Sequence, residues 1–130
     1  MVDDHAIELD PRLTASALGH VLENAAQYAP AGSPIDVTAS VDADGLLLQV
    51  RDRGPGIADA DLPHVFDRFF RGQTGSMRTS GTGMGLWIAR RLLAVQGGRI
   101  WVENLVDGGA RFSLRVPGPS RPQALPGSVA

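Results

Sequence analysis

"SGTGMGL", residues 80–86, sets glycine at every second position, Gly81, Gly83 and Gly85, between a polar run and an amphipathic segment. Glycine reaches conformations closed to other residues and lets a ligand approach the backbone closely, and exposed amides at a helix start attract anions. A phosphate-bearing ligand is the candidate that this chemistry suggests. Glycine-rich turns are mostly only turns, however, so the stretch has to be read with its neighbours.

From Gly83 the pattern turns helical through "LWIARRLLAVQ" and stops at Gly97 and Gly98. The strands "RIWVENL" and "ARFSLRV" follow around the turn "VDGG". On the other side, residues 53–82 hold a second glycine cluster, "DRGPG", short helical fragments such as "DADLPHVFDRFF", and little sustained periodicity. Compact domains usually keep so long a loop only for function. Before it, "IDVTASV" and "LLLQVRD" alternate with period two around "DADG" and predict a hairpin.

The chain opens its ordered part with "DPRLTASALGHVLENAAQYA". Asp10 can cap a helix with Pro11 in its first turn, and Leu13, Ala17, Leu18, Val21, Leu22 and Ala25 form one apolar stripe, predicting a helix over about residues 11–29. Two helices and at least four strands give an α/β fold: a two-layer α/β sandwich, with a mixed sheet and helices on one face. Residues 1–117 are expected to form one domain. The segment 118–130, rich in Pro, Gly and Ser, is expected to be a flexible tail.

Composition narrows the function. At 130 residues and 13.7 kDa the chain fits a single domain, with 43% hydrophobic and 20% charged residues. No apolar run approaches the length of a membrane span, and "MVDDHAIELD" does not read as a secretory signal. Without cysteine, disulfides and thiolate metal sites are excluded. A net charge of -2 argues against a broad nucleic-acid surface. All twelve basic residues are arginine. A chain without lysine cannot supply the P-loop G-x-x-x-x-G-K-[ST] or the strand lysine of protein kinases, and "GTGMGL" lies too late and is wrongly spaced for a Rossmann fingerprint.

The ordered series "HVLENAAQYA", "DRGPGI", "FDRFFR" and "GTGMGL" resembles the N, G1, F and G2 boxes of the ATP-binding catalytic domain of sensor histidine kinases, over about residues 8–117. That resemblance implies the Bergerat fold, shared with gyrase, the Hsp90 chaperone and mismatch-repair ATPases, with ATP held between the first helix and a mobile lid. It assigns Asn24 to magnesium through its amide oxygen, which suits a hard cation that keeps several waters. Asp52 matches the carboxylate that accepts a hydrogen bond from the adenine amino group. Gly54 and Gly56 let the chain pass the base, Ile57 walls it, and Tyr28 lies against it, although Tyr28 reads equally well as core. Gly81, Thr82, Gly83, Gly85 and Leu86 form the lid hinge and phosphate turn. Arg71 and Arg78 are within reach of the β- and γ-phosphates, and Phe66, Phe69 and Phe70 pin the lid, which from about Ile57 to Thr82 is expected to order on nucleotide.

Two positions depart from the family pattern. His20 stands where the family commonly has a first asparagine and where related ATPases have a catalytic glutamate; packing or a weak polar contact is the expectation. Gln27 replaces a phosphate-touching lysine, and is kept as a nucleotide contact. No H-box histidine segment lies ahead of Asp10, and His5 and His64 lack that context, so the 130 residues are expected to bind ATP and magnesium without phosphorylating themselves. The resemblance implies a cytoplasmic domain working with a dimerisation domain and, indirectly, a response regulator, with no direct membrane contact. Two other readings of the same fold are a stand-alone anti-sigma-factor serine kinase and a nucleotide-binding module without transfer activity.

Overall fold

Asp10 starts the first helix. In the computed structural model, which describes residues 10–70 and 84–118, its Oδ1 accepts the backbone N–H of Arg12 at 2.9 Å and of Leu13 at 3.2 Å. These are two of the four donors that a helix start leaves unpaired. Helix α1 runs Pro11–Tyr28 and buries Thr14, Ala17, Val21 and Ala25, the inner line of the apolar stripe. Strands β1 (Asp36–Asp42) and β2 (Gly45–Arg51) form the expected hairpin, with Asp42 opposite Gly45 and the N–H of Asp44 bonded to the Asp42 carboxylate at 2.8 Å.

Helix α2 spans Gly85–Ala94 and buries Leu86, Ala89 and Leu93. Its end is closed by the N–H of Gly98, which bonds Leu93 O at 2.8 Å, and β3 (Arg99–Asn104) and β4 (Ala110–Val116) follow. Gln96 ties the two helices together: its Oε1 accepts from Asp10 N at 2.8 Å and from the Thr14 hydroxyl at 3.3 Å, while its Nε2 donates to Leu92 O.

The strand order is β1-β2-β4-β3, and every pairing among the described residues is antiparallel. The α/β two-layer reading therefore holds, whereas the expected mixed character of the sheet is not found among these residues. Each of the two consecutive pairs is joined by a short turn, which produces antiparallel neighbours. The inner face stacks Leu46 on Val116, Leu48 on Leu114 and Ile100, and Val50 on Phe112 and Val102. Helix α1 packs on β2 and β4, α2 on β3 and β4, and the helices on each other.

The opposite face is polar, because side chains alternate along a strand. Gln49 bonds Ser113 at 3.1 Å, Arg111 grips Glu103, and Arg115 reaches Asp42 at 2.9 Å. Ser113 is fully buried there, whereas Arg115 and Asp42 pair at the surface.

Candidate nucleotide-binding site

Two glycines mark where distant segments close on α1. A Cβ at Gly54 would stand 2.8 Å from the carbonyl oxygen of Tyr28, and one at Gly85 would stand 3.7 Å from Nδ1 of His20. His20 and Tyr28 are eight positions apart on α1, about 12 Å along the helix axis, with Asn24 midway. The i, i+4 spacing puts all three on one face. That face is thus bounded at one end by the loop after β2 and at the other by the start of α2.

Asp52, the first residue past β2, is 4% exposed and is held from three directions. Its backbone N–H bonds Ala110 O at 3.0 Å; its Oδ1 accepts Gly54 N–H at 2.8 Å and, at 3.4 Å, Ala110 N–H. Among the described residues the hydrogen bonds to the carboxylate fall on Oδ1. The start of β4 fits against it only because residue 109 is glycine: at φ +81 a Cβ there would lie 2.0 Å from Asp52 O. Gly109 and Ala110 were not singled out from sequence, where "VDGG" reads as an ordinary turn.

Beyond Asp52 the chain bends at Gly56, φ +83, into Ile57. The side-chain amide of Asn104, the last residue of β3, accepts Ile57 N–H at 2.8 Å and donates to Ile57 O at 2.7 Å. Ile57 is half-buried against the core. Asn104 also escaped the sequence reading, its only local signal being its place just before a glycine turn.

Asn24 is half-buried, and its side chain makes no hydrogen bond to another described residue. Among the described residues no three His, Asp or Glu side chains converge. Tyr28 is half-buried and Gln27 exposed on the last turn of α1. His20 lies 3.9 Å from Glu23 and packs beside Gly85, in keeping with the expected packing role.

The start of α2 has no side-chain cap and no acidic residue in its first turn. Among the described residues no carboxylate therefore competes for its leading amides. Gly85 lies in that turn, whereas the Leu86 side chain belongs to the core. Arg71, Arg78, Gly81, Thr82 and Gly83 lie outside the described residues. Of the F-box phenylalanines, Phe66 meets Phe112 edge-on at 6.3 Å and Phe70 stacks on His64 at 6.2 Å. Phe69 differs: it is 56% exposed with φ 64, and the Arg68 guanidinium covers its ring at 4.7 Å.

Two carboxylates titrate below their ordinary range. Asp42 is held below the usual carboxylate range chiefly by the Asp44 N–H, with Arg115 adding to it; Asp107 is lowered chiefly by its hydrogen bond from Arg51.

The sequence matches the "Histidine kinase-, DNA gyrase B-, and HSP90-like ATPase" family over residues 9–120. The chain belongs to that ATPase family. It is 40% identical over 116 residues to the signal transduction histidine-protein kinase AfsQ2 of Streptomyces coelicolor, covering 89% of this chain and 21% of that one. To the sensor protein KdpD of Escherichia coli it is 38% identical over 90% of this chain and 13% of KdpD. The chain thus spans about a fifth or less of the length of these two relatives. Among solved structures, a mycobacterial sensor histidine kinase, MprB, matches with a TM-score of 0.77 and 29% identity, covering 86% of this chain and 76% of that one. Full-length ShkA in complex with AMPPNP matches with a TM-score of 0.68 and 30% identity, covering 84% of this chain and 22% of ShkA. In this histidine-kinase-like ATPase domain the α1 face that carries Asn24 is flanked by Gly54 at one end and Gly85 at the other. No helix among the described residues is long and apolar enough to cross a membrane.

Proposed function

We propose that this chain is the ATP-binding catalytic domain of a two-component sensor histidine kinase, which binds Mg-ATP and presents its γ-phosphate to a histidine on a separate dimerisation domain. The observation that carries the proposal is Asp52: a buried carboxylate whose Oδ1 is tied to Gly54 and Ala110, while its Oδ2 accepts from no other described residue and is assigned to a donor such as the adenine amino group. Guanine presents a carbonyl at that position, so the same oxygen disfavours it.

The remaining residues divide the work along the α1 face. Tyr28, Gly54, Gly56 and Ile57 enclose the base; Asn24, at mid-face, offers its amide oxygen to magnesium; Gln27 is assigned to the phosphates; Gly85 and its neighbours offer backbone amides to them. Arg71, Arg78, Gly81, Thr82 and Gly83 are assigned to the same phosphate end on the resemblance alone. Bound magnesium supplies charge neutralisation at the phosphates. Catalysis from this chain is mainly positioning, since phosphoryl transfer through a loose transition state asks little covalent chemistry of the protein. The accepting histidine and its acid/base partners belong to the dimerisation domain, and a response regulator receives the phosphoryl group next. This chain is assigned to the cytoplasmic end of a membrane-bound sensor.

The test is labelling in trans. With radiolabelled ATP and magnesium the 130-residue chain alone should gain no acid-labile label. Adding a dimerisation hairpin from a close relative should place label on the hairpin histidine. Label on a serine of an added protein, or ATP bound by the chain with no transfer to any hairpin histidine, would refute the kinase assignment.

A further inference from the structure

We infer that Asn104, from the far edge strand, is a positioning residue of the nucleotide pocket: its side-chain amide clamps both backbone groups of Ile57 and thereby sets the wall against which the base rests. The inference rests on the function proposed above. Asn104 and Ile57 are 47 positions apart, yet the amide oxygen receives Ile57 N–H at 2.8 Å and the amide nitrogen donates to Ile57 O at 2.7 Å. One amide plane thus satisfies donor and acceptor of one residue, much as a neighbouring strand does, in a loop that lacks a strand partner at that point.

The clamp also explains Gly56. A Cβ there would stand 2.9 Å from Asn104 Oδ1, and φ is +83, so the glycine makes room for the Asn104 amide at least as much as for a ligand. The loop from Asp52 to Ile57 is consequently anchored at both ends from the second hairpin: by Ala110 and Gly109 on Asp52, and by Asn104 on Ile57. Asp52 is fixed by burial, whereas Asn104 and its bonds are exposed to water. The Ile57 end is therefore the one that a single side-chain change releases without dismantling the core.

Three variants separate positioning from general stability. Asn104→Ala removes both bonds; Asn104→Asp keeps an acceptor for Ile57 N–H but sets a carboxylate against Ile57 O; Gly56→Ala introduces the crowding that Asn104→Ala should partly relieve. Calorimetry on the whole chain is expected to show ATP and adenosine weakened together by about ten-fold in Asn104→Ala, the loss of two hydrogen bonds that hold the wall. Asn104→Asp should lie between it and wild type. The ratio of ATP affinity with and without magnesium should stay unchanged, because Asn24 on α1 is untouched. Amide exchange at Ile57 should accelerate while the melting temperature moves little. The double variant Gly56→Ala/Asn104→Ala should bind ATP better than the sum of the single losses.

The inference is overturned if Asn104→Ala binds adenosine and ATP within two-fold of wild type, or if its losses of base affinity, magnesium enhancement and melting temperature run in parallel, as a merely structural residue requires. A wild-type chain that binds no adenine nucleotide overturns the proposed function together with this inference, whereas the first two results overturn the clamp alone.

Discussion

Asp52 offers a perturbation in which stability and recognition come apart. In Asp52→Asn the side-chain oxygen is expected to keep the place of Oδ1, which in the wild-type chain accepts Gly54 N–H at 2.8 Å and Ala110 N–H at 3.4 Å. The outward oxygen becomes an NH2 group that faces the adenine amino group donor to donor. Losing one hydrogen bond to a charged acceptor costs about 1.5–3 kcal/mol, or roughly 10- to 150-fold in ATP affinity, with the fold itself changed by less than about 1 kcal/mol. Asp52→Ala removes the acceptor as well. The Gly54 N–H is then left without its bond in a part-buried setting, and the longer Ala110 bond goes with it, so about 2 kcal/mol of stability is lost too. In a domain of this size that is a fall of roughly 10 °C in Tm. Isothermal calorimetry with ATP, ADP and GTP, paired with thermal melts, reads both quantities. Wild type should bind ATP and ADP with magnesium and GTP far more weakly. Asn and Ala variants should both lose ATP, and only Ala should lose Tm. If Asp52→Asn binds ATP within two-fold of wild type, the carboxylate is not the recognition group and the pocket has been misread.

Other outcomes follow from the same geometry. Asn24→Ala should abolish the magnesium enhancement of ATP binding while adenosine binding stays nearly intact; equal enhancement in variant and wild type would reject Asn24 as the metal ligand. Asp42, lowered in the folded state by the Asp44 N–H and Arg115, contributes stability that is present above its unfolded value of 3.8 and lost as the pH falls from there through the lowered native value. Thermal melts of Asp42→Asn should therefore fall below wild type at neutral pH and low salt, and meet it below that window; a gap that persists in acid would exclude the carboxylate as its source.

The site was only partly legible before folding. Asn24 and Tyr28 could be placed on one helix face because the 3.6-residue period is a local property, and Asp52 could be placed at a strand end because strand and turn signals met there. Nothing local announced Asn104, Gly109 or Ala110, whose partners are Ile57 and Asp52. The F box shows the same limit. Three phenylalanines within five positions look equivalent in sequence, yet Phe66 and Phe70 pack against the core while Phe69 takes a positive φ and stays exposed.

The sequence by itself determined the elements: Asp10 and Pro11 start α1, Gly97 and Gly98 end α2, and the two turns make the two hairpins, because caps, turns and hydrophobic period act over a few residues. Only the tertiary structure decided that β2 pairs with β4, that the second hairpin thereby carries Gly109 and Ala110 to Asp52 and Asn104 to Ile57, and that α1 receives Gly54 at one end and Gly85 at the other. Those meetings depend on which faces bury together across the whole chain, and no short window of residues contains that choice.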